Sequence, residues 1–407
     1  MENRVVITGI GIYSCIGENI PDVLSSLKAG KSGIIYDQER KDFGYRSCLT
    51  GYVKDPDLKP FLSRRDRIGM HQPAMFAFMS TKEALENSKL DIDFLEQHET
   101  GIIFGNDSTA GAVIETIDKA RARKDNTLIG SGDIFQNMNC TVNMSLSTIY
   151  KLKGINITMS AACASGSHSI GMGYLLIKQG LQERVICGGA QEINVYAMGS
   201  FDGLGVFSTR QDEPAKASRP FDKNRDGLVP SGGSATVIIE SLDAALKRNA
   251  PIYGEIVGYG FSSNGDHISN PSFEGQYRSL IMSLKQAGMN PADIDYINAH
   301  ATSTPVGDAT EAKVISEVFG AEVPVSSTKG MTGHECWMAG ASEIVYSILM
   351  MQHNFIAPNI NFENPDDELA KINIIPNYTE KKIDCFLSNS FGFGGTNSSL
   401  IIKKFIQ

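Results

Sequence analysis

Residues 158–171 read TMSAACASGSHSIG, a stretch in which an apolar strand runs into a helix through small residues around Cys163. The continuation, GSHSIGMGYLLIKQG, places Ile170, Leu175 and Ile177 with helical periodicity. A thiol at a helix N-terminus lies near unpaired N–H groups and the positive end of the helix dipole, both of which favour an anion. The placement predicts a lowered pKa for Cys163 and hence a candidate nucleophile. A small buried residue without chemistry is an equally good interpretation of this stretch alone.

Strand-like and helix-like segments alternate on both sides of this corner. VVITGIGI, TGIIFGND and RVICGGAQE are apolar strand patterns, and residues 20–29 and 73–88 have helical periodicity. Continuous apolar strands that alternate with helices predict an α/β protein whose sheets are mostly buried. The pattern recurs after the middle of the chain, which predicts a duplication into halves 1–250 and 251–407. Residues 200–233, rich in Gly, Pro and charge, are predicted to form an ordered loop over a site.

The composition limits the classes of partner and compartment. The chain has 407 residues and a net charge of −9, which argues against broad nucleic-acid binding. Its seven cysteines are scattered and lack CxxC spacing, so neither a disulfide framework nor a metal site is predicted. The N-terminus does not have the pattern of a signal peptide, and no apolar run reaches the roughly 18 residues of a spanning helix. We therefore expect a cytoplasmic protein without membrane insertion.

The second half offers polar partners for the thiol. NAHATSTPVGDATE places His300 directly after a strand, and STKGMTGHECWMAG places Lys329 and His334 between glycines. Because two such loops each follow an apolar strand, they predict a shared pocket. SFGFGGTN adds a glycine-rich turn whose backbone N–H groups could bind an oxyanion. His168 lies five residues beyond Cys163, an offset that turns it away from the thiol on a helix, so we expect a packing or interface histidine.

Four motifs together resemble one enzyme family. SAACASGSHSIG, NAHATSTPVGD, TKGMTGH and SNSFGFGGTN, in this order and spacing, are similar to the β-ketoacyl-acyl carrier protein synthases, and most to the bacterial synthase I and II group. The resemblance runs from Val5 to the C-terminus. It implies an α/β thiolase-like fold, with duplicated βαβαβαββ halves in five alternating layers. It also implies a homodimer, or a heterodimer with a homologous subunit.

The resemblance implies a decarboxylating Claisen condensation that elongates fatty acids. Substrates would arrive on the phosphopantetheine of an acyl carrier protein, without any further cofactor. Cys163 would carry the acyl group, and the backbone N–H groups of Cys163 and Phe393 would form the oxyanion hole. His300 and His334 would donate hydrogen bonds to the malonyl thioester carbonyl and stabilise the enolate that forms as CO₂ leaves.

The same resemblance assigns supporting roles around the pocket. Lys329 would pair with Glu311, on the helix after His300. Thr302 and Thr304 would bind the pantetheine arm. Phe391 and Phe393 would lie beside the thiol, with Phe393 moving as a gate, and Ser108 would lie in the acyl tunnel.

Two basic segments are candidates for docking an acidic carrier protein. By default such runs are solvated faces, but the resemblance places both near the family's docking patch. Their residues are Arg64, Arg65 and Arg67 in the first segment, and Lys119, Arg121, Arg123 and Lys124 in the second.

One segment departs from the family pattern. After His334 the family usually has small residues, whereas this chain has ECWM at 335–338, including its only tryptophan, Trp337. We expect this segment to alter substrate preference more than reaction type. A ketosynthase of a specialised polyene or polyketide pathway and a non-catalytic partner subunit therefore remain alternatives, although a partner subunit would lack the nucleophile. A degradative thiolase would need a second cysteine in the SNSFGFGGTN loop, and a papain-like hydrolase a different cysteine environment.

Overall fold

The computed structural model of the protein describes residues 2–406 and contains fifteen strands and fifteen α-helices in that range. The strands are β1 Val5–Ser14, β2 Ile34–Tyr36, β3 Leu49–Gly51, β4 Gly101–Gly105, β5 Asn156–Met159, β6 Arg184–Gln191, β7 Gly233–Ser241, β8 Gly254–Ser263, β9 Tyr296–Asn298, β10 Pro324–Ser326, β11 Phe355–Ile356, β12 Asn373–Ile374, β13 Thr379–Glu380, β14 Cys385–Phe391 and β15 Thr396–Lys403. The helices are α1 Ile20–Ala29, α2 Gln38–Asp42, α3 Arg64–Arg67, α4 Gln72–Ser88, α5 Ile92–Gln97, α6 Ala110–Arg123, α7 Asp133–Gln136, α8 Thr141–Ile149, α9 Ser165–Lys178, α10 Gly199–Leu204, α11 Leu242–Lys247, α12 Phe273–Ala287, α13 Pro305–Phe319, α14 Lys329–Thr332 and α15 Ala339–His353.

The main sheet consists of two arrangements of the same kind. Its strand order is β12-β10-β9-β14-β15-β8-β1-β7-β6-β4-β5. In the first arrangement β4 is parallel to β5 and β6, while β7 is antiparallel to β6 and β1. In the second, β9 is parallel to β10 and β14, while β15 is antiparallel to β14 and β8. The two are joined by a short antiparallel pairing of β1 with β8.

Helices fill three further layers. Helix α4 packs on the outer face of the first arrangement and α12 on that of the second, whereas α9 and α15 pack on each other between the two. This central pair is possible because glycines let the backbones meet: a Cβ on Gly166 would lie 2.9 Å from the Ala341 nitrogen, and one on Gly340 would lie 2.6 Å from Ser167. The molecule therefore alternates helix and sheet in five layers, as expected for this α/β protein.

The buried core explains why these segments form strands and helices. All ten residues of β1 are buried, and so are all nine of β7, as their continuous apolar patterns predict. Helix α1 ends where Gly30 takes a left-handed conformation, with φ 62°. By contrast, β5 is a sheet edge whose residues are exposed or half-buried in the single chain. In the described range no helix has the length and apolarity that crossing a membrane requires.

Candidate active site

Cys163 lies on a sharp corner between β5 and α9. A 3-10 turn, Ala162–Ala164, links the two, and Ala162 takes a left-handed conformation with φ 45°. Two side chains hold this corner. Asp107 accepts a hydrogen bond of 3.1 Å from the Ala162 N–H, and the Ser165 hydroxyl accepts one of 2.8 Å from the Ala161 N–H. These contacts maintain a backbone that is costly for a residue with a side chain, and they place the thiol at the start of α9.

Burial dominates the ionisation of the thiol. Burial raises the pKa of Cys163 to about 11, although the Lys329 charge and the backbone N–H groups of Phe393 and Cys163 lower it. The prediction of a pKa below the usual range is therefore wrong. Removing the thiolate from water costs more free energy than the helix N-terminus and the single nearby cation supply. The thiol is the resting form at neutral pH, so its proton must leave as the sulfur reacts.

The glycine-rich loop after β14 lies directly against this corner. A Cβ on Gly392 would be 3.2 Å from the Cys163 nitrogen and 3.0 Å from the Ala161 carbonyl oxygen, so only glycine allows this approach. The next residues, Gly394 and Gly395, have φ of 77° and 75°. The loop thereby brings the Phe393 N–H to the thiol, where it lowers the thiol pKa.

The two imidazoles face each other in the same cavity. The ring centroids of His300 and His334 are 5.3 Å apart and the rings are perpendicular. Nδ1 of His300 and both ring nitrogens of His334 have no hydrogen-bond partner within residues 2–406. Burial and then the Lys329 charge lower both pKa values well below the usual range. Both rings are therefore neutral at physiological pH, and each can donate one N–H.

Glu311 positions His300 through the backbone. Its carboxylate accepts hydrogen bonds from the His300 N–H at 2.9 Å, from the Ala301 N–H at 2.7 Å and from Asn389 at 3.1 Å. Burial raises the Glu311 pKa, and these bonds lower it. The carboxylate thus holds the loop that carries the imidazole.

The predicted ion pair of Lys329 with Glu311 is wrong. The Lys329 ammonium contacts Glu343 on α15 instead, and both side chains are almost fully buried. Glu311 uses its oxygens on backbone and amide donors, so only the longer-range charge of Lys329 reaches it. Glu343 is the fifth residue of α15 and the only acidic residue of that largely apolar helix, which is the signal in the sequence that it is buried and paired.

A cavity of about 470 Å³ connects these groups to the surface. Cys163, His300, His334, Thr302 and Thr304 all line it. The two threonine hydroxyls lie 3.1 Å apart. Further lining residues outside the motifs are Phe201, Leu204, Val206, Asp226, Leu228 and Asn264. The first five lie in residues 200–233, so this segment does border the site as predicted, although its start, with Phe201 and Leu204, is helix α10 rather than loop. Within residues 2–406, no group of His, Cys, Asp and Glu could hold a metal ion.

Comparison with known proteins identifies this arrangement. Family models described as "Beta-ketoacyl synthase, N-terminal domain" and "Beta-ketoacyl synthase, C-terminal domain" match residues 2–245 and 253–363. The chain is 43% identical to 3-oxoacyl-[acyl-carrier-protein] synthase 1 of Haemophilus influenzae, over 99% of both chains. It is 40% identical to the same-named protein of Escherichia coli strain K12, over 98% of this chain and 99% of that one. The chain belongs to the β-ketoacyl synthase family.

Solved structures agree with this assignment. A β-ketoacyl synthase from Burkholderia phymatum superposes with a TM-score of 0.95 at 32% identity, over 99% of this chain and 100% of that one. A ketosynthase described in complex with its type II polyketide acyl-carrier protein has a TM-score of 0.90 at 27% identity, with full coverage of both chains. The predicted family, thiolase-like fold and enzyme class are confirmed: the protein is a ketosynthase, an acyltransferase of fatty-acid chain elongation.

The ketosynthase has an aromatic wall beside its thiol that the motifs did not predict. Phe201 stacks on Phe207 at 6.1 Å and on Phe393 at 6.0 Å between ring centroids, and its ring lies 6.3 Å from that of Trp337. Phe391 instead packs edge-on against His300, at 5.9 Å. The signal available in the sequence was the single tryptophan where the family usually has small residues.

Other candidate residues lie outside the cavity lining of the ketosynthase. The Ser108 hydroxyl donates a 3.0 Å hydrogen bond to Glu192 and is absent from the lining, so its place in an acyl tunnel stays a prediction. His168 is buried between the Tyr259 hydroxyl at 2.6 Å and the Thr396 hydroxyl at 2.8 Å, and burial lowers its pKa to about 4. The expectation of a packing histidine is confirmed.

The basic segments of the ketosynthase lie on neighbouring helices. Arg64, Arg65 and Arg67 form α3, and the second segment ends α6; almost all of these side chains are exposed. Helix α7 connects them: it packs on α6, and its Gln136 donates a 2.9 Å hydrogen bond to the Ile68 carbonyl beside α3. The structure thus brings both segments into one region, while their role in docking stays a prediction.

Glu335, the first residue of the departing segment, is fully buried. Its carboxyl accepts hydrogen bonds from the Ser342 hydroxyl at 2.5 Å and the Tyr346 hydroxyl at 2.8 Å. Burial raises its pKa to about 7. Because both partners are on α15, Glu335 fixes the loop after His334 to that helix rather than lining the cavity.

Proposed function

We propose that the ketosynthase condenses an acyl group held on Cys163 with malonyl-acyl carrier protein to give a β-ketoacyl product two carbons longer. The observation that carries the proposal is the convergence of one thiol and two neutral imidazoles on a single cavity. Acyl transfer needs a nucleophilic sulfur that can attack a thioester. Enolate formation needs hydrogen-bond donors directed at the thioester carbonyl oxygen. Substrates on a phosphopantetheine arm would enter past Thr302 and Thr304.

The first half-reaction transfers the acyl group. The Cys163 sulfur attacks the thioester carbonyl of the acyl carrier protein, and the carbonyl oxygen becomes an oxyanion beside the Cys163 and Phe393 N–H groups. The bond to the pantetheine sulfur then breaks, and the proton from the Cys163 thiol ends on that departing sulfur. Because burial holds the Cys163 pKa near 11, proton transfer accompanies the attack rather than preceding it.

The second half-reaction forms the carbon–carbon bond. The malonyl carboxylate leaves as CO₂, and the electron pair of the broken carbon–carbon bond forms an enolate. The enolate oxygen accepts hydrogen bonds from the N–H groups of His300 and His334. The enolate carbon attacks the acyl carbonyl on Cys163, and the sulfur departs as a thiolate that takes up a proton from solvent. The neutral state of both imidazoles suits this role, since each has one N–H to donate without a net charge.

We also propose the assembly in which this occurs. The exposed edge strand β5 immediately precedes the Cys163 corner and has unpaired backbone groups, so a second copy could extend the sheet there. Exposed apolar side chains at Ile134, Phe135 and Met138 favour a covered surface nearby. A homodimer fits these features; a homologous partner subunit in place of one copy is the alternative. The free cysteines favour a reducing compartment, the cytoplasm.

The test is direct reconstitution. Purified ketosynthase is incubated with an acyl-acyl carrier protein and malonyl-acyl carrier protein, and the carrier-bound product is read by intact mass. We expect an added ketide unit of two carbons and release of CO₂. Cys163→Ala should reduce product formation by at least about 10³-fold while the melting temperature is kept. Continued elongation by that variant, or no acyl transfer to the wild-type thiol, would overturn the proposal.

A further inference from the structure

Trp337 occupies the space next to the nucleophile. It lies on a 3-10 turn, Cys336–Met338, that packs against the turn carrying Cys163. Its side chain is only 8% exposed, and it belongs to one apolar cluster with Cys163, Met198, Phe207 and Leu228. The indole nitrogen donates to no group within residues 2–406. Packing rather than a hydrogen bond therefore holds the ring, and its contribution at this place is steric.

The position of the oxyanion donors sets the direction of an acyl chain. The pantetheine arm would occupy the cavity on the side of Thr302 and Thr304. With the carbonyl oxygen between the Cys163 and Phe393 N–H groups, the alkyl chain must leave the sulfur on the remaining side. Phe201 and Leu228 line the cavity together with Cys163, and Trp337 packs in the same apolar cluster, with its ring centroid 6.3 Å from that of Phe201.

We propose that Trp337 limits the length of the acyl group that Cys163 accepts, so that the ketosynthase loads short acyl groups in preference to long saturated ones. This inference rests on the proposed function of the same site. Interiors are close-packed, and a chain of many methylenes needs a channel that the indole and its aromatic neighbours fill. A long chain would have to displace the ring from a buried cluster, whereas a short group would not.

Variants of Trp337 separate bulk from other roles. Trp337→Gly removes the ring, Trp337→Leu removes part of its volume and keeps an apolar side chain, and Trp337→Phe keeps a flat ring without the N–H. The leucine variant carries the test if the glycine variant does not fold. Melting temperature and the secondary-structure spectrum check the fold of each.

The readout is the rate at which Cys163 is acylated in the absence of malonyl substrate. Wild type and variants receive butyryl-, octanoyl-, dodecanoyl- and palmitoyl-acyl carrier protein, and intact mass follows the acyl-enzyme. We expect wild type to load butyryl at least about tenfold faster than palmitoyl, because misfits of single methylenes already cost about this much. Trp337→Gly or Trp337→Leu should narrow that ratio by raising the long-chain rates, and Trp337→Phe, which keeps more of the bulk, should narrow it less.

Each other outcome has a definite meaning. Equal loading of butyryl and palmitoyl by wild type would overturn the size limit and leave the proposed function intact. An unchanged ratio in a folded Trp337→Leu variant would also overturn it, as would a Trp337→Phe variant that narrows the ratio more than Trp337→Leu does. Failure of wild type to load any acyl group would overturn the proposed function itself.

Discussion

The corner that carries Cys163 and the corner that carries Trp337 share a 3-10 turn with a left-handed first residue and differ in chemistry. Each is a 3-10 turn entered by a residue with φ 45°, Ala162 in one and Cys336 in the other. Each turn leads directly into a buried helix, α9 or α15, and these two helices pack on one another. Cys163 and Trp337 follow the strained residue in their respective turns and so occupy corresponding places.

The difference shows that the two halves of the duplicated fold have different roles at the site. In the first half the corner supplies a nucleophile, and in the second half it supplies bulk. The imidazoles come from the second half, from the loops after β9 and β10, and line the same cavity as the first-half thiol. The fold thus repeats the scaffold, and the side chains at equivalent positions determine which half reacts and which half shapes the cavity.

The largest effect is expected when the imidazole donors of the second half are removed. His300→Ala or His334→Ala should lower decarboxylation of malonyl-acyl carrier protein by about 10²–10³-fold, because one donor to the developing enolate is lost. Acyl loading of Cys163 should fall far less. Since both pKa values lie well below 6.5, the wild-type rate should not rise or fall with imidazole ionisation between pH 7 and 8.

The control for those variants is His168→Ala. His168 is also buried and neutral, but both of its nitrogens already have hydroxyl partners outside the cavity. We expect a loss of thermal stability without a change in the ratio of decarboxylation to loading. Equal losses in loading and decarboxylation for the His300 and His334 variants would contradict their role as enolate donors.

A smaller effect is expected from the charge of Lys329, which acts on the Cys163 thiol of the other half. Lys329 lies in the second half and lowers the pKa of the first-half thiol, so Lys329→Met should raise that pKa further. Below the pKa the thiolate fraction falls about tenfold for each unit of increase, and alkylation of Cys163 by iodoacetamide at pH 8 should slow accordingly. The rate of each variant should still rise with pH, because deprotonation creates the reactive form.

Lys329→Arg is the matched variant, since it keeps the positive charge beside Glu343. It should alkylate at a rate closer to wild type than Lys329→Met does, with site-specific labelling read by peptide mass. If the methionine variant alkylates as fast as wild type at every pH, the Lys329 charge does not act on the thiol.

The smallest effect compares the two strained residues directly. A residue with a side chain costs about 1–2 kcal/mol of stability in the left-handed conformation. Glycine avoids that cost but loses about 0.5–1 kcal/mol more than alanine in conformational entropy on folding. Ala162→Gly should therefore stabilise the protein by up to about 1 kcal/mol in urea unfolding. Cys336→Gly also loses a fully buried thiol, so it should be less favourable than Ala162→Gly. The reverse order would show that the two corners are not strained alike.

Much of the site could be predicted because its residues lie in short contiguous motifs. The strand-to-helix corner at Cys163, the loops of His300 and His334 and the glycine-rich turn each have a local signature. The partner of Lys329 could not be predicted from spacing alone, because Glu343 approaches it only through the packing of α15. The aromatic wall was also missed, since Phe201 lies on the six-residue helix α10 and Phe207 just beyond it, in a segment that the sequence predicted as loop.

By itself, the sequence determined the family, the alternation of strands and helices, and which residues carry the chemistry, because these depend on local pattern and residue type. Only the tertiary structure decided the ionisation of Cys163, the pairing of Lys329 and the closed space around Trp337. Each of these depends on how deeply a group is removed from water and on which distant segments lie within a few ångströms of it. A linear pattern contains neither quantity.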